Sequence, residues 1–175
     1  MSPTQGFAVW ITGLPASGKS SITRELMKKL DALGVPMVVL ESDKMRTILT
    51  PEPTYSARER EQFYRAIALI GELITRGGIN VIFDATANQR SYRDLARSLI
   101  RRFVEAYVDC PLEICMKRDP KGIYGRAMSG KATTVPGVQA SYEPPLHPEI
   151  TLNGQDSPEV GAKAIVNKLK LLLYI

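Results

Sequence analysis

Short apolar runs alternate along this chain with longer stretches in which apolar residues recur every three or four positions. Residues 7–12 (FAVWIT) read as a buried strand, and Ile22, Leu26, Leu30 and Leu33 then mark one face of a helix that Gly34 can cap. Residues 36–40 (PMVVL) give a second strand. A polar stretch follows, and Phe63, Ile67, Ile70 and Ile74 predict the inner face of the next helix before Gly77 and Gly78. Residues 80–84 (NVIFD) form a third strand, with Tyr92, Leu95, Ala96, Leu99 and Ile100 as the stripe of the helix behind it. Residues 103–109 form a fourth, after which Pro111 is placed to open a short helix.

Residues 119–148 break the rhythm. Five prolines and four glycines fall in that stretch and periodicity is weak, so it predicts a long ordered loop or lid. Residues 149–152 can supply a fifth strand. Ser157, Pro158 and Glu159 carry the N-cap, first-position and acidic first-turn chemistry of a closing helix that runs to about residue 172.

Apolar strands alternating with helices predict an α/β fold, a parallel five-stranded sheet covered on both faces. Ligands in such sheets bind beyond the carboxyl ends of the strands. Four segments fall there: 13–20, 42–46, 84–90 and the stretch after Arg118.

With 175 residues and 44% hydrophobic content, the chain sustains one domain, taken as 1–175, rather than two. The net charge of +5 fits either a nucleic acid or anionic small molecules. The basic residues are spread over helices and the lid without a basic–aromatic stripe, which favours small polyanions and no nucleic-acid partner. No apolar run approaches the ~20 residues that span a bilayer, and the N-terminus lacks a basic region followed by an apolar run. A cytoplasmic protein without a membrane partner is therefore expected. Cys110 and Cys115 read as reduced core thiols, and with His147 they offer too few ligands for a structural metal.

The most explicit chemistry is the run Gly13-Leu-Pro-Ala16-Ser17-Gly18-Lys19-Ser20, a G-x-x-x-x-G-K-S phosphate loop between a strand and a helix. Such a turn aims successive backbone N–H groups inward, and glycine is needed where φ turns positive or a side chain would obstruct phosphate oxygens. The helix N-terminus adds partial positive charge, Lys19 can reach the β- and γ-phosphates, and the Ser20 hydroxyl can ligate magnesium. The expected co-substrate and ion are ATP and Mg2+. No base-reading N-K-x-D occurs, which argues against a GTPase, and a motor ATPase needs a larger body.

On the acceptor side, Asp43 and Arg46 follow the second strand. A carboxylate there can orient a hydroxyl, help take its proton or hold magnesium through water, and Arg46 can bind an anionic group. Of Arg58, Arg60 and Arg65 on the next helix, Arg60 is the functional candidate, the others fitting a solvated face. Asp84, ending the third strand, has the position of a magnesium-side acid.

Arg118-Asp-Pro-Lys121-Gly-Ile-Tyr124, Gly137, Ser141-Tyr-Glu143-Pro-Pro145 and Pro148-Glu149 resemble the lid of the adenylylsulfate (APS) kinases, and the earlier motifs agree. Those enzymes carry a phosphate loop, L-D-G-D-x-x-R after the second strand, a D-R-x-E-N-x-R-R helix and the run R-D-P-K-G-L-Y. The resemblance covers nearly the whole chain. It implies the P-loop kinase fold, with a lid after strand 4 at about 119–148, and transfer of the γ-phosphoryl of MgATP to the ribose 3′-hydroxyl of APS, giving PAPS and ADP. By position it implies Asp43 as the catalytic aspartate beside Lys19. Arg46 and Arg60 become APS-binding arginines, Lys121 the lid lysine, and Tyr55 the ring against the APS adenine. The implied nucleotide contacts run through the loop (Gly13, Ala16, Ser17, Gly18, Lys19, Ser20), then Ser21, and Arg118 further along. Since family members are often dimers, a homodimer is one implied assembly.

The chain departs from the family pattern on the acceptor side. Glu41-Ser42 replaces Asp-Gly, Phe63 replaces an asparagine, Ala87-Asn88 replaces Ser-Pro, and Val135-Pro136 replaces the Phe-Thr before the lid glycine. A serine phosphorylated at position 87 is thereby excluded, and one aromatic face of the adenine site is lost. Asp84-Ala-Thr86 also resembles kinases for polynucleotide 5′-hydroxyls or other small hydroxyl acceptors, the alternative reading. A nucleotide-dependent switch is the alternative of a different class, opposed by the lid, which excludes water where a switch needs hydrolysis.

Overall fold

The computed structural model describes residues 5–175. Strands β1 (Ala8–Thr12), β2 (Met37–Glu41), β3 (Asn80–Asp84), β4 (Phe103–Asp109) and β5 (Ile150–Asn153) pair in parallel in the order β2-β3-β1-β4-β5. The five-stranded parallel sheet expected from the sequence is present, with boundaries displaced by one residue in β1, β2 and β5.

Side chains alternate across the central strand. Val9 and Ile11 meet Ile22, Leu26 and Leu30 of α1 (Lys19–Ala32) and Ile165 and Leu169 of α7 (Pro158–Leu171). Ala8 and Trp10 face the other way, toward Phe63 and Ile67 of α3 (Ala57–Arg76) and Tyr92 and Ala96 of α4 (Arg90–Leu99). One strand thus builds two cores, because its residue period is two while its covering helices repeat every 3.6. A third cluster, Cys110, Cys115, Tyr124, Ala127 and Val135, docks α5 (Leu112–Arg118) and α6 (Ile123–Met128) beside the phosphate loop. Both cysteines are free and buried.

Several expectations are corrected. The polar stretch after β2 is a helix, α2 (Ser42–Leu49), whose turns carry Asp43 and Arg46. Leu33 and Leu99 lie at helix ends and are exposed. Pro111 sits at the N-cap of α5, one residue before the helix. As an edge strand β2 is only partly covered, which lets its polar end open onto the ligand face. The stretch 119–148 contains α6, and its last part is tied to the body. The Glu143 N–H donates to the Asn88 carbonyl (2.7 Å), and its carboxylate accepts from the Arg90 N–H (2.8 Å). No helix among the described residues is long and apolar enough to cross a membrane.

Candidate active site

Beyond the carboxyl ends of β1, β2 and β3 lies a cleft of about 1070 Å³, floored by the phosphate loop and roofed by residues 118–136. Ala16 to Ser21, Asp43, Arg46, Tyr55, Arg60, Asp84, Arg118 and Lys121 all line it, so segments far apart in sequence converge as expected. Gly13 lies beneath the loop. A Cβ there would come within 2.6 Å of the Val108 carbonyl and 2.8 Å of Ser17 Oγ, so only glycine fits. Gly18, at φ +107°, turns the chain into α1.

The Lys19 ammonium donates to the carbonyl oxygens of Gly13 (3.1 Å) and Leu14 (2.8 Å), folded onto its own loop. Burial pulls its pKa down to about 8, partly countered by the Asp84 and Asp43 carboxylates. Asp84 is buried at the end of β3, and desolvation pushes its carboxyl up against the opposing pull of Lys19 and a hydrogen bond from Ser20. The Ser17 hydroxyl is buried without a partner among the described residues.

At the opposite end, Lys121 Nζ donates to Asp43 Oδ2 at 2.5 Å, joining the roof to α2. This contact raises the lysine pKa. Arg46 is buried, pairs with Glu59 (Nη1 to Oε1, 2.9 Å), and lays its guanidinium over the rings of Phe63 (4.0 Å to the centroid) and Tyr55 (4.9 Å). Arg60, also buried, donates to the Tyr55 carbonyl (3.0 Å), Asn88 Oδ1 (3.0 Å) and the Thr134 carbonyl (2.5 Å), bridging three segments of the cleft wall. Arg118 donates to the Gly154 carbonyl at 2.7 Å.

Of the altered positions, Glu41, Ser42, Val135 and Pro136 line the cleft, whereas Phe63 and Ala87 are fully buried behind it. Tyr55 adopts φ +54° and is half-exposed, with its ring engaged by Arg46 and also near Arg60 (5.7 Å).

Sequence reading missed several contributors. Glu59 does two jobs that the S-x-x-E spacing from Ser56 could have signalled as a capping box: its N–H donates to Ser56 Oγ (3.3 Å), while its carboxylate holds the Thr54 N–H (2.5 Å) and Arg46. Tyr64 lines the cleft, and its hydroxyl accepts from the Ala87 N–H (3.1 Å). Behind the cleft, Arg93 is only 1% exposed and pairs with Glu105 (2.6 Å). It also donates to the carbonyls of Ala87 and Glu143, locking the loop after β3 to the last part of the 119–148 stretch.

A phosphate loop, a carboxylate held by a roof lysine and two arginines within one cleft are the parts of a kinase for an anionic acceptor. The model of the family described as adenylylsulphate kinase matches residues 5–153. The chain belongs to the adenylylsulphate kinase family. An adenylyl-sulfate kinase of Rippkaea orientalis is 38% identical over 172 residues, covering 98% of this chain and 95% of its own length. Another from Gloeothece citriformis is 37% identical, covering 98% of each. The Mycobacterium tuberculosis APS kinase solved with AMPPNP and APS superimposes with a TM-score of 0.91 at 31% identity, covering 96% of this chain and 99% of that one. Shikimate kinase from Aquifex aeolicus, at 15% identity and a TM-score of 0.57, shares the fold alone. The sequence-level identification of APS kinase and of the P-loop kinase fold is borne out.

Proposed function

We propose that this adenylylsulfate kinase transfers the γ-phosphoryl of MgATP to the 3′-hydroxyl of APS, with the phosphate loop binding the donor and the Asp43 end of the cleft binding the acceptor. The observation that carries the reading is the convergence of Lys19, Asp43, Arg46, Arg60 and Lys121 on one cleft in a chain of this family. Lys19 gives up its contacts to Gly13 and Leu14 for the β- and γ-phosphates, and backbone N–H groups at the start of α1 supply further donors. Arg118 closes the nucleotide end.

No group of three or more acidic, thiol or imidazole ligands that could hold a metal occurs among the described residues. That suits magnesium bound in the usual way for kinases, by one or two protein oxygens, phosphates and water. Ser20 and Asp84, which both line the cleft beside Lys19, are the oxygens that would hold it. When bound, the ion neutralises charge on the β- and γ-phosphates.

Asp43 accepts the hydrogen bond of the 3′-hydroxyl, aligns its oxygen with the γ-phosphorus and takes up the proton as the bond forms. Lys121 holds that carboxylate in place and adds positive charge where the transferring phosphoryl passes. Arg46 and Arg60 take the phosphosulfate, and Tyr55 offers a ring to the adenine. Most of the acceleration comes from positioning and charge neutralisation. Use of ATP and two buried thiols support a cytoplasmic location.

The test is a panel of acceptors with γ-labelled ATP: APS, a 5′-hydroxyl oligonucleotide and no acceptor. Label should pass to APS alone. Label on the oligonucleotide, or released as phosphate without acceptor, would point to the other kinase class or to a switch.

A further inference from the structure

The Arg46 guanidinium lies closer to the Phe63 ring than to any other aromatic ring of the cleft wall, 4.0 Å from its centroid, and shares Glu59 with the 54–55 turn. Phe63 itself is 1% exposed, is absent from the cleft lining and meets Tyr64 edge-on at 5.2 Å. It therefore stays behind the cleft surface, and among the described residues the cleft cation whose guanidinium it underlies is Arg46. A guanidinium 4.0 Å from a ring centroid packs against the ring face, which limits its rotation and leaves its N–H edges to other partners. Glu59 fixes one of those edges, through Nη1. The guanidinium is thus oriented before any anion arrives, and less entropy is lost when it binds one.

We propose that Phe63 is a positioning residue for acceptor affinity, acting through Arg46 by holding its guanidinium face while Glu59 holds its edge. The inference rests on the assignment of Arg46 to the acceptor's phosphosulfate. It makes acceptor recognition depend on a side chain the acceptor never meets. Donor binding, at the phosphate loop, is independent of it.

The experiment is a double-mutant cycle in APS and ATP kinetics. Phe63→Leu keeps an apolar side chain of similar size and removes the ring. The KM for APS should rise on the order of tenfold while the KM for ATP stays within about twofold. Phe63→Tyr, which restores a ring, should recover most of the loss. In an Arg46→Ala background, Phe63→Leu should add nothing, because the partner through which it acts is gone. Full additivity in that background, or an equal rise in both KM values, overturns the proposal. Should Phe63→Leu lower the melting temperature too far for kinetics, Glu59→Gln tests the same clamp from the edge: it should raise the KM for APS selectively, and an unchanged value overturns the proposal. If the wild-type protein makes no PAPS, the functional reading fails and the inference falls with it; if it makes PAPS and the cycle is additive, only the inference fails.

Discussion

Lys121 Nζ and Asp43 Oδ2 lie 2.5 Å apart although 78 residues separate them in the chain. Both side chains are more than half exposed. An exposed pair contributes at most about 1 kcal/mol to stability, so this contact costs little to exchange for an acceptor hydroxyl. Its value lies in where it puts the carboxylate. Asp43→Asn should lower kcat by about 10²–10⁴-fold, the usual range for a positioned general base, with the melting temperature unchanged within a degree or two. Lys121→Ala should also lower kcat without loss of stability. Calorimetric melting alongside kinetics checks both, and a large fall in melting temperature would make the pair a structural one.

Lys19 titrates near pH 8 in the free protein because burial opposes its charge. Phosphate oxygens favour the ammonium form, so its pKa rises when ATP binds. The sign follows: ATP affinity is full below about pH 8 and declines as pH rises through that value, since binding must then take up a proton. Calorimetry at pH 8.5 in two buffers of different ionisation enthalpy should report proton uptake. The difference should vanish in Lys19→Ala, which should also be inactive with every acceptor.

Arg93 and Glu105 form a buried pair, 2.6 Å apart, whose arginine also carries the carbonyls of Ala87 and Glu143. Arg93→Ala leaves Glu105 only its second and partly exposed partner, Arg97 at 3.2 Å, and strips the Ala87 and Glu143 carbonyls of their donor, at a cost of about 3 kcal/mol. Arg93→Ala should accordingly lower the melting temperature by on the order of 10 °C. A shift of a degree or two would mean that the network is relieved by water.

The sequence displays the donor half of the site almost completely, because a phosphate loop works through local backbone geometry. Gly13, Gly18, Lys19 and Ser20 must stand at fixed spacing for the turn and helix start to form, so spacing alone reveals them. The acceptor half depends on contacts between distant segments. Phe63 is legible as the inner face of a helix, yet nothing in its neighbourhood reveals that Arg46 rests on it. Arg93 looks like a solvated helix position beside Tyr92 and is instead buried, since its partners lie on β4, the loop after β3 and the segment around Glu143. The α2 segment escaped because its apolar residues, Met45, Ile48 and Leu49, are few and mostly exposed, leaving periodicity without a signal. Edge strands β2 and β5 shifted by a residue for a similar reason: half-covered strands carry weaker apolar boundaries.

The most direct test is product analysis of purified protein incubated with ATP, magnesium and micromolar APS, resolving nucleotides by chromatography and mass spectrometry. PAPS and ADP should appear in equal amounts, with the new phosphate on the ribose 3′-oxygen and the sulfate retained. Absence of PAPS under these conditions, or a phosphate placed anywhere else on APS, would contradict the assignment of Asp43 and its end of the cleft to the 3′-hydroxyl.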